Sequence, residues 1–130
     1  MAQTITEKIF SEHAGKEVFA GEIIRVNIDM VIGNDITTPI SIKAFNDSKA
    51  TKLANPDGFS LVLDHFIPAK DIASANQARI SRDFAKEHKL KNFFDEQDMG
   101  IEHALLPEKG LICPGDVLIG DDSYTFPHGS

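Results

Sequence analysis

The sequence predicts an α/β domain, alternating strands and helices forming a largely parallel sheet. Three observations predict it. Segments with an apolar period near two alternate along the chain with segments of helical period. Turn residues separate them at Asn55-Pro56-Asp57-Gly58, Lys109-Gly110 and Pro114-Gly115. Three strand candidates run into polar residues, at Asn34-Asp35-Ile36-Thr37, Asp64-His65 and Asp121-Asp122-Ser123.

Taken in order, Thr4 to His13 reads as a short helix with Ile5, Ile9 and Phe10 on one side. Glu22 to Gly33 alternates cleanly and reads as the strongest strand. Ile24, Val26, Ile28, Met30 and Ile32 face one way, and Arg25, Asn27 and Asp29 the other. Thr38 suits an N-cap and Pro39 the first helical position, so a helix follows through Phe45. Phe59 to Leu63 is a short buried strand ending at Asp64-His65. Asp71 to His88 is the longest helix, with Ile72, Ala75, Ile80 and Phe84 near one face. Asn92-Phe93-Phe94 is a third strand. Gly100 to Leu106 is a short helix stopped by Pro107, and Asp116 to Gly120 is the last strand.

Composition narrows the functional classes. With 20 acidic and 13 basic residues the net charge is −7. A nucleic-acid surface needs a basic face that displaces counterions. Here Arg79, Arg82, Lys86, Lys89 and Lys91 are interleaved with Asp83 and Glu87, as on a solvated helix face. No apolar run approaches the roughly 20 residues that span a bilayer, and MAQTITEKIF has no apolar core of a signal peptide. The lone Cys113 excludes an internal disulfide, and one thiol does not hold zinc or an iron–sulfur cluster. It reads as a small apolar residue beside Ile112, in a reducing cytoplasm.

Parallel strands carry the three polar ends to one edge of the sheet, where α/β sheets bind ligands. Asp64-His65 is the strongest chemical candidate there. A carboxylate beside an imidazole fixes its tautomer and steadies its protonated form. Neighbours on a strand point to opposite faces, so the pair needs a turn after Leu63, which Pro68 favours. Taken alone, the dipeptide is also what a strand-end cap with an exposed histidine looks like. His103 sits in the short helix before Pro107. His13 and His88 lie at helix ends, as surface residues suited to the helix dipole, and His128 falls in the last three residues. No phosphate loop, HExxH or CxxC occurs, which also removes support for a flavodoxin-like binding module.

The spaced segments NDIT, DHFIP, GIEHALLPE and PGD, with TITEKIFSEHAG, FAKEH and NFFD between and before them, resemble the aconitase family. The resemblance is to its isopropylmalate branch and covers nearly the whole chain. It implies part of an aconitase-type domain, with residues 1–130 forming a single N-terminal α/β segment of a longer, truncated large subunit. The activity it implies is that of a [4Fe–4S] hydro-lyase. Such enzymes interconvert 2- and 3-isopropylmalate, a small dicarboxylate, by dehydration and rehydration in leucine biosynthesis. By the same resemblance Asp64 and His65 match a pair that protonates the departing hydroxyl. His103 matches a histidine bound to water or hydroxide at the cluster, and Asp122 and Ser123 match the start of an Asp-Ser-His segment. Asp35 and Thr37 fall in the segment lining the substrate pocket.

The departures from the family are clustered. Tyr124 stands where the family has a third histidine, and a phenol with a pKa of about 10 does not relay protons near neutrality. Asp121, Phe126 and Pro127 also differ. The family's three cluster cysteines and a serine base contributed by a small subunit match nothing in this chain. The expectations are no metal ligand here, no bound cluster and no activity of the chain alone. A sheet without its neighbours predicts self-association through an open edge. A truncated or engineered non-catalytic α/β domain, with Gly129-Ser130 as a cloning remnant, and a piece of homoaconitase or aconitase are the alternatives.

Overall fold

The computed structural model describes residues 2–123 and 125. Tyr124, Phe126, Pro127, His128 and the Gly129-Ser130 pair therefore lie outside the described residues. The chain runs α1 (Ile5–Ala14), β1 (Met30–Asn34), α2 (Thr38–Asp47), a 3₁₀ turn (Pro56–Gly58), β2 (Phe59–Val62), α3 (Ile72–Glu87), β3 (Asn92–Phe94), α4 (Glu102–Glu108) and β4 (Leu118–Gly120). The strands form one sheet in the order β3-β2-β1-β4, and every pairing is parallel. The strand order steps outward from β1 to β3 and then returns to the far side of β1. The crevice between β1 and β4 is thus the point where the winding reverses.

Alternation along the strands sends side chains to two faces, each covered by helix. Met30 and Ile32 of β1, Val62 of β2 and Phe94 of β3 pack with Leu106 of α4 and with Ile112. Leu61 and Leu63 point the other way and meet Ala78 and Ala85 of α3. The second helix lies beside α3, where Phe45 meets Phe84 edge-on with centroids 5.8 Å apart. His88, placed at the surface by sequence, caps α3 and rests on the same two rings, 4.4 Å from Phe84 and 5.5 Å from Phe45.

The strand over Glu22 to Gly33 needs correcting. Only Met30–Asn34 is a strand, and residues 22–29 belong to no strand ladder among the described residues. Alternation reports which face a side chain takes, not whether a neighbouring strand exists. Ile24 and Val26 are half-buried, as the alternation requires, whereas Ile28 of the same predicted face is exposed. Ile24 and Val26 line an apolar cavity of about 610 Å³ with Phe10 and Val18, while Ile23 is fully exposed. The last strand is likewise shorter than expected. Its pairing begins one step earlier through Asp29, whose N–H donates to Val117 O (2.9 Å) and whose Oδ2 accepts from Val117 N (2.7 Å).

The same carboxylate ties down the first helix. His13 bonds the Ile9 carbonyl through Nδ1 (2.8 Å) and Asp29 Oδ2 through Nε2 (2.6 Å), so it is a latch and not a free surface group. The Ile9 carbonyl first, and Asp29 second, hold its pKa above the ordinary value. At its other end α1 carries a capping box, in which Thr4 Oγ1 accepts from Glu7 N and Glu7 accepts from Thr4 N. Ile5, placed on the inner side by spacing, is exposed.

Two further helices differ in detail. The buried face of α3 is Ser74, Ala78, Ser81, Phe84 and Ala85, while Ile72, Ala75 and Ile80 face outward. Small residues let the helix axis approach the sheet, and that requirement outweighs hydrophobicity in choosing the face. Pro107 lies inside α4 and does not stop it. The helix closes through Lys109 N to Leu105 O (3.0 Å) and Leu111 N to Leu106 O (3.0 Å). Cys113 is exposed in the following turn, not packed in the core with Ile112. No helix is long and apolar enough to cross a membrane among the described residues.

Candidate functional site

The carboxyl ends of β1, β2 and β4 converge with the start of α4, as the parallel sheet predicts. Asn34, the last residue of β1, organises the first wall. Its Oδ1 accepts from Ile36 N (3.0 Å), Thr37 N (3.1 Å) and Thr37 Oγ1 (3.0 Å). The N-cap of α2 is Thr37 and not Thr38; it makes no side-chain capping bond, and Asn34 instead fixes the turn that leads into the helix. Asp35 is fully buried. It accepts from His65 N (3.1 Å, Oδ1) and Phe66 N (2.7 Å, Oδ2). Those two bonds bend the chain after β2, which is the turn that the Asp64-His65 pair required.

Beyond that turn, His65 Nδ1 donates to Asp64 Oδ1 at 2.6 Å, so adjacent residues do cooperate. The other carboxylate oxygen, Asp64 Oδ2, accepts from Glu102 N at the first turn of α4 (2.7 Å). With Nδ1 committed, His65 presents Nε2 outward, 4.0 Å from Asp122 Oδ2. About a third of the His65 side chain is exposed, against 9% for Asp64. The exposed partner is the one able to meet a ligand, and the buried partner orients it. Beside them lies a cavity of about 220 Å³ lined by Asp64, Met99, Gly100 and Ile101.

Asp122 forms the third wall, just after β4. Its Oδ1 meets His103 Nε2 (3.2 Å) and its Oδ2 accepts from Asn34 Nδ2 (3.3 Å). The turn that carries it closes through Thr125, whose N–H and Oγ1 both donate to Asp122 O. Asp121 accepts from Ser41 Oγ of α2 (3.3 Å), and Ser123 is exposed on the same turn. The structure therefore brings Asp35, Asp64, His65, His103 and Asp122 into one connected group. Thr37 and Ser123 border it: the Thr37 hydroxyl is spent on Asn34.

Two members of the group have no site role in the sequence reading, Asn34 and Glu102. Glu102 is fully buried on the inner side of α4. Burial, then the neighbouring Asp64, push its carboxyl up to about 7, with Asp122 and Asp121 acting in the same sense and the Asn34 amide opposing them. The sequence does hold the cue. Glu102 and Leu106 are four residues apart, so a helix that buries Leu106 buries Glu102. Asn34 has no such cue, since its importance lies in which elements meet around it.

The thiol chemistry of a four-iron cluster is not available here. Cys113 lies in the turn before β4, with its N–H on Asp116 Oδ2 (2.7 Å) and its Sγ near Gly110 O (3.7 Å). One thiol does not satisfy a cluster's ligand set. Asp35, Asp64 and His65 offer three potential ligand atoms within 4.8 Å of one another. Both Asp35 oxygens already accept backbone N–H groups, so the trio is explained as a turn-forming unit.

Against known proteins, the model of the aconitase family (aconitate hydratase) matches residues 7–130. The chain is 85% identical over its whole length to a 3-isopropylmalate dehydratase large subunit of Sulfurimonas denitrificans, covering 31% of that protein. It is 78% identical to the protein of the same name from Aliarcobacter butzleri, covering 30% of it. With that from a Sulfurovum species it shares 76%, again over 30% of the relative. The chain thus spans about a third of the length of the curated relatives it matches.

Proposed function

This chain belongs to the aconitase family, and from that premise we propose that its sheet edge is the proton-handling wall of a hydro-lyase acting on isopropylmalate. The whole enzyme would interconvert 2- and 3-isopropylmalate in leucine biosynthesis, in the cytoplasm, with residues 1–130 as the N-terminal segment of its large subunit and a small subunit as partner. The observation that carries the reading is the Asp64–His65 pair. Asp64 Oδ1 holds Nδ1 at 2.6 Å, which leaves Nε2 at the open side of the group.

In dehydration the C–O bond breaks as the hydroxyl takes a proton. His65 Nε2–H is the donor, and Asp64 steadies the imidazolium before transfer. Asp122 orients His103, whose partner in the family is water or hydroxide. Asp35 sets the turn that carries His65, Thr37 and Asp35 belong to the substrate-lining segment, and Ser123 adds a hydroxyl beside Asp122. The second proton, from the adjacent carbon, goes to a base outside this chain. In the whole enzyme, cysteines outside these residues would hold the cluster, which would supply Lewis-acid chemistry at the hydroxyl.

The test uses a full-length relative with its small subunit. His65→Gln is expected to lower kcat by about 10²- to 10⁴-fold with cluster content unchanged. Undiminished turnover would remove His65 from proton transfer. The 130-residue chain by itself is expected to show neither cluster absorbance after anaerobic reconstitution nor turnover of isopropylmalate. A stoichiometric cluster on it would overturn the assignment of the ligands elsewhere.

A further inference from the structure

We propose that Glu102 is a positioning residue of this site, held as a carboxylic acid, which keeps Asp64 and Asp122 free to orient the two imidazoles. The inference rests on the reading of Asp64 and His65 given above. Glu102 reaches Asp64 directly and Asp122 through a shared amide, one through each end of the residue. Its backbone N–H donates to Asp64 Oδ2 (2.7 Å). Its Oε2 meets Asn34 Nδ2 (3.4 Å), the same nitrogen that reaches Asp122 Oδ2 (3.3 Å). An amide nitrogen carries two hydrogens. Both are spent here on carboxyl groups.

The geometry is a poor one for a third negative charge. Glu102 is fully buried, and its Oε1 meets no hydrogen-bond partner among the described residues. An ionised carboxylate places half its charge on that oxygen, where nothing compensates it. No lysine or arginine pairs with Glu102 among the described residues. The ionisable groups around it are Asp64 from the turn after β2, Asp121 and Asp122 from the turn after β4, and the His65 and His103 they orient. When like charges crowd one site, one of them takes a proton. The fully buried group with an unmet oxygen is the one that does so here. The direction of its titration agrees, up from 4.5 to about 7.

The sign of the linked stability follows. Between about pH 4.5 and 7 the folded chain holds a proton on Glu102 that the unfolded chain has released. Stability from this group is complete below that window and lost as pH rises through it. Glutamine mimics the neutral acid and does not titrate. Urea unfolding of the 130-residue chain and of Glu102→Gln is therefore compared from about pH 5 to about pH 8. The variant is expected to gain on the original by about a hundredfold in folding constant across that range. A difference that stays constant with pH overturns the proposal, because a packing role alone is blind to pH. The ¹³C carboxyl shift of Glu102 in the unaltered chain gives a second reading that no variant's folding affects. An inflection near 7 is expected, and one near 4.5 overturns the proposal. Neither measurement involves turnover, so a failure here and a failure of His65→Gln are told apart.

Discussion

Asp35→Ala is expected to cost the fold about 3–5 kcal/mol and to take His65 out of position. Two part-buried N–H groups, of His65 and Phe66, lose at once the carboxylate that accepts from them. Each bond to a charged group contributes about 1.5–3 kcal/mol, and a donor left without a partner adds its desolvation cost. A domain of this size holds roughly 5–15 kcal/mol in total, so the loss is a large share of it. Asparagine should restore part, since its Oδ1 accepts one N–H but its Nδ2 cannot accept the other. Urea unfolding of the alanine and asparagine variants measures the series. Equal midpoints for both and for the parent chain would show that Asp35 does not hold the turn.

Leu106→Ala is expected to cost about 2–5 kcal/mol. Leu106 is fully buried between α4 and the sheet, against Met30, Ile32, Val62 and Phe94. The leucine is also the anchor of the helix that carries Glu102 and His103. Removing it should loosen the site as well as the core, so His103 exchange broadening in NMR should accompany the drop in urea midpoint. Unaltered stability would mean that the neighbouring Leu105 and Leu111 refill the space.

Both substitutions probe features that pattern reading reached unequally. The parallel sheet, the polar strand ends and the Asp64-His65 turn were legible because each follows from local sequence. Alternation marks faces, and Pro68 with its neighbours marks the break. The extent of the first strand was not legible, because a ladder partner for residues 22–29 is a property of other segments. The inner face of α3 misled for a different reason. Ser74, Ala78, Ser81 and Ala85 are inside by virtue of size, while Ile72 and Ile80, the more hydrophobic choices, are outside. Within the candidate site, residues with their own chemistry were found and those that connect them were not. Asn34 and Glu102 matter through what they touch, and touching is fixed only when the strands are in order.

That order also sets a sequence of events in time. The strands β1, β2 and β3 meet partners about thirty residues away, as in the register of Val31 with Phe59 and Ser60 with Asn92. By contrast Asn34 finds Asp122 across 88 residues. Short loops close before long ones, and the closing strand is only three residues long with Ile119 half exposed. Three strands can zip before the fourth pairs. Asp122 is therefore the last residue to join the crevice, and β4 is the seam along which the group comes apart first.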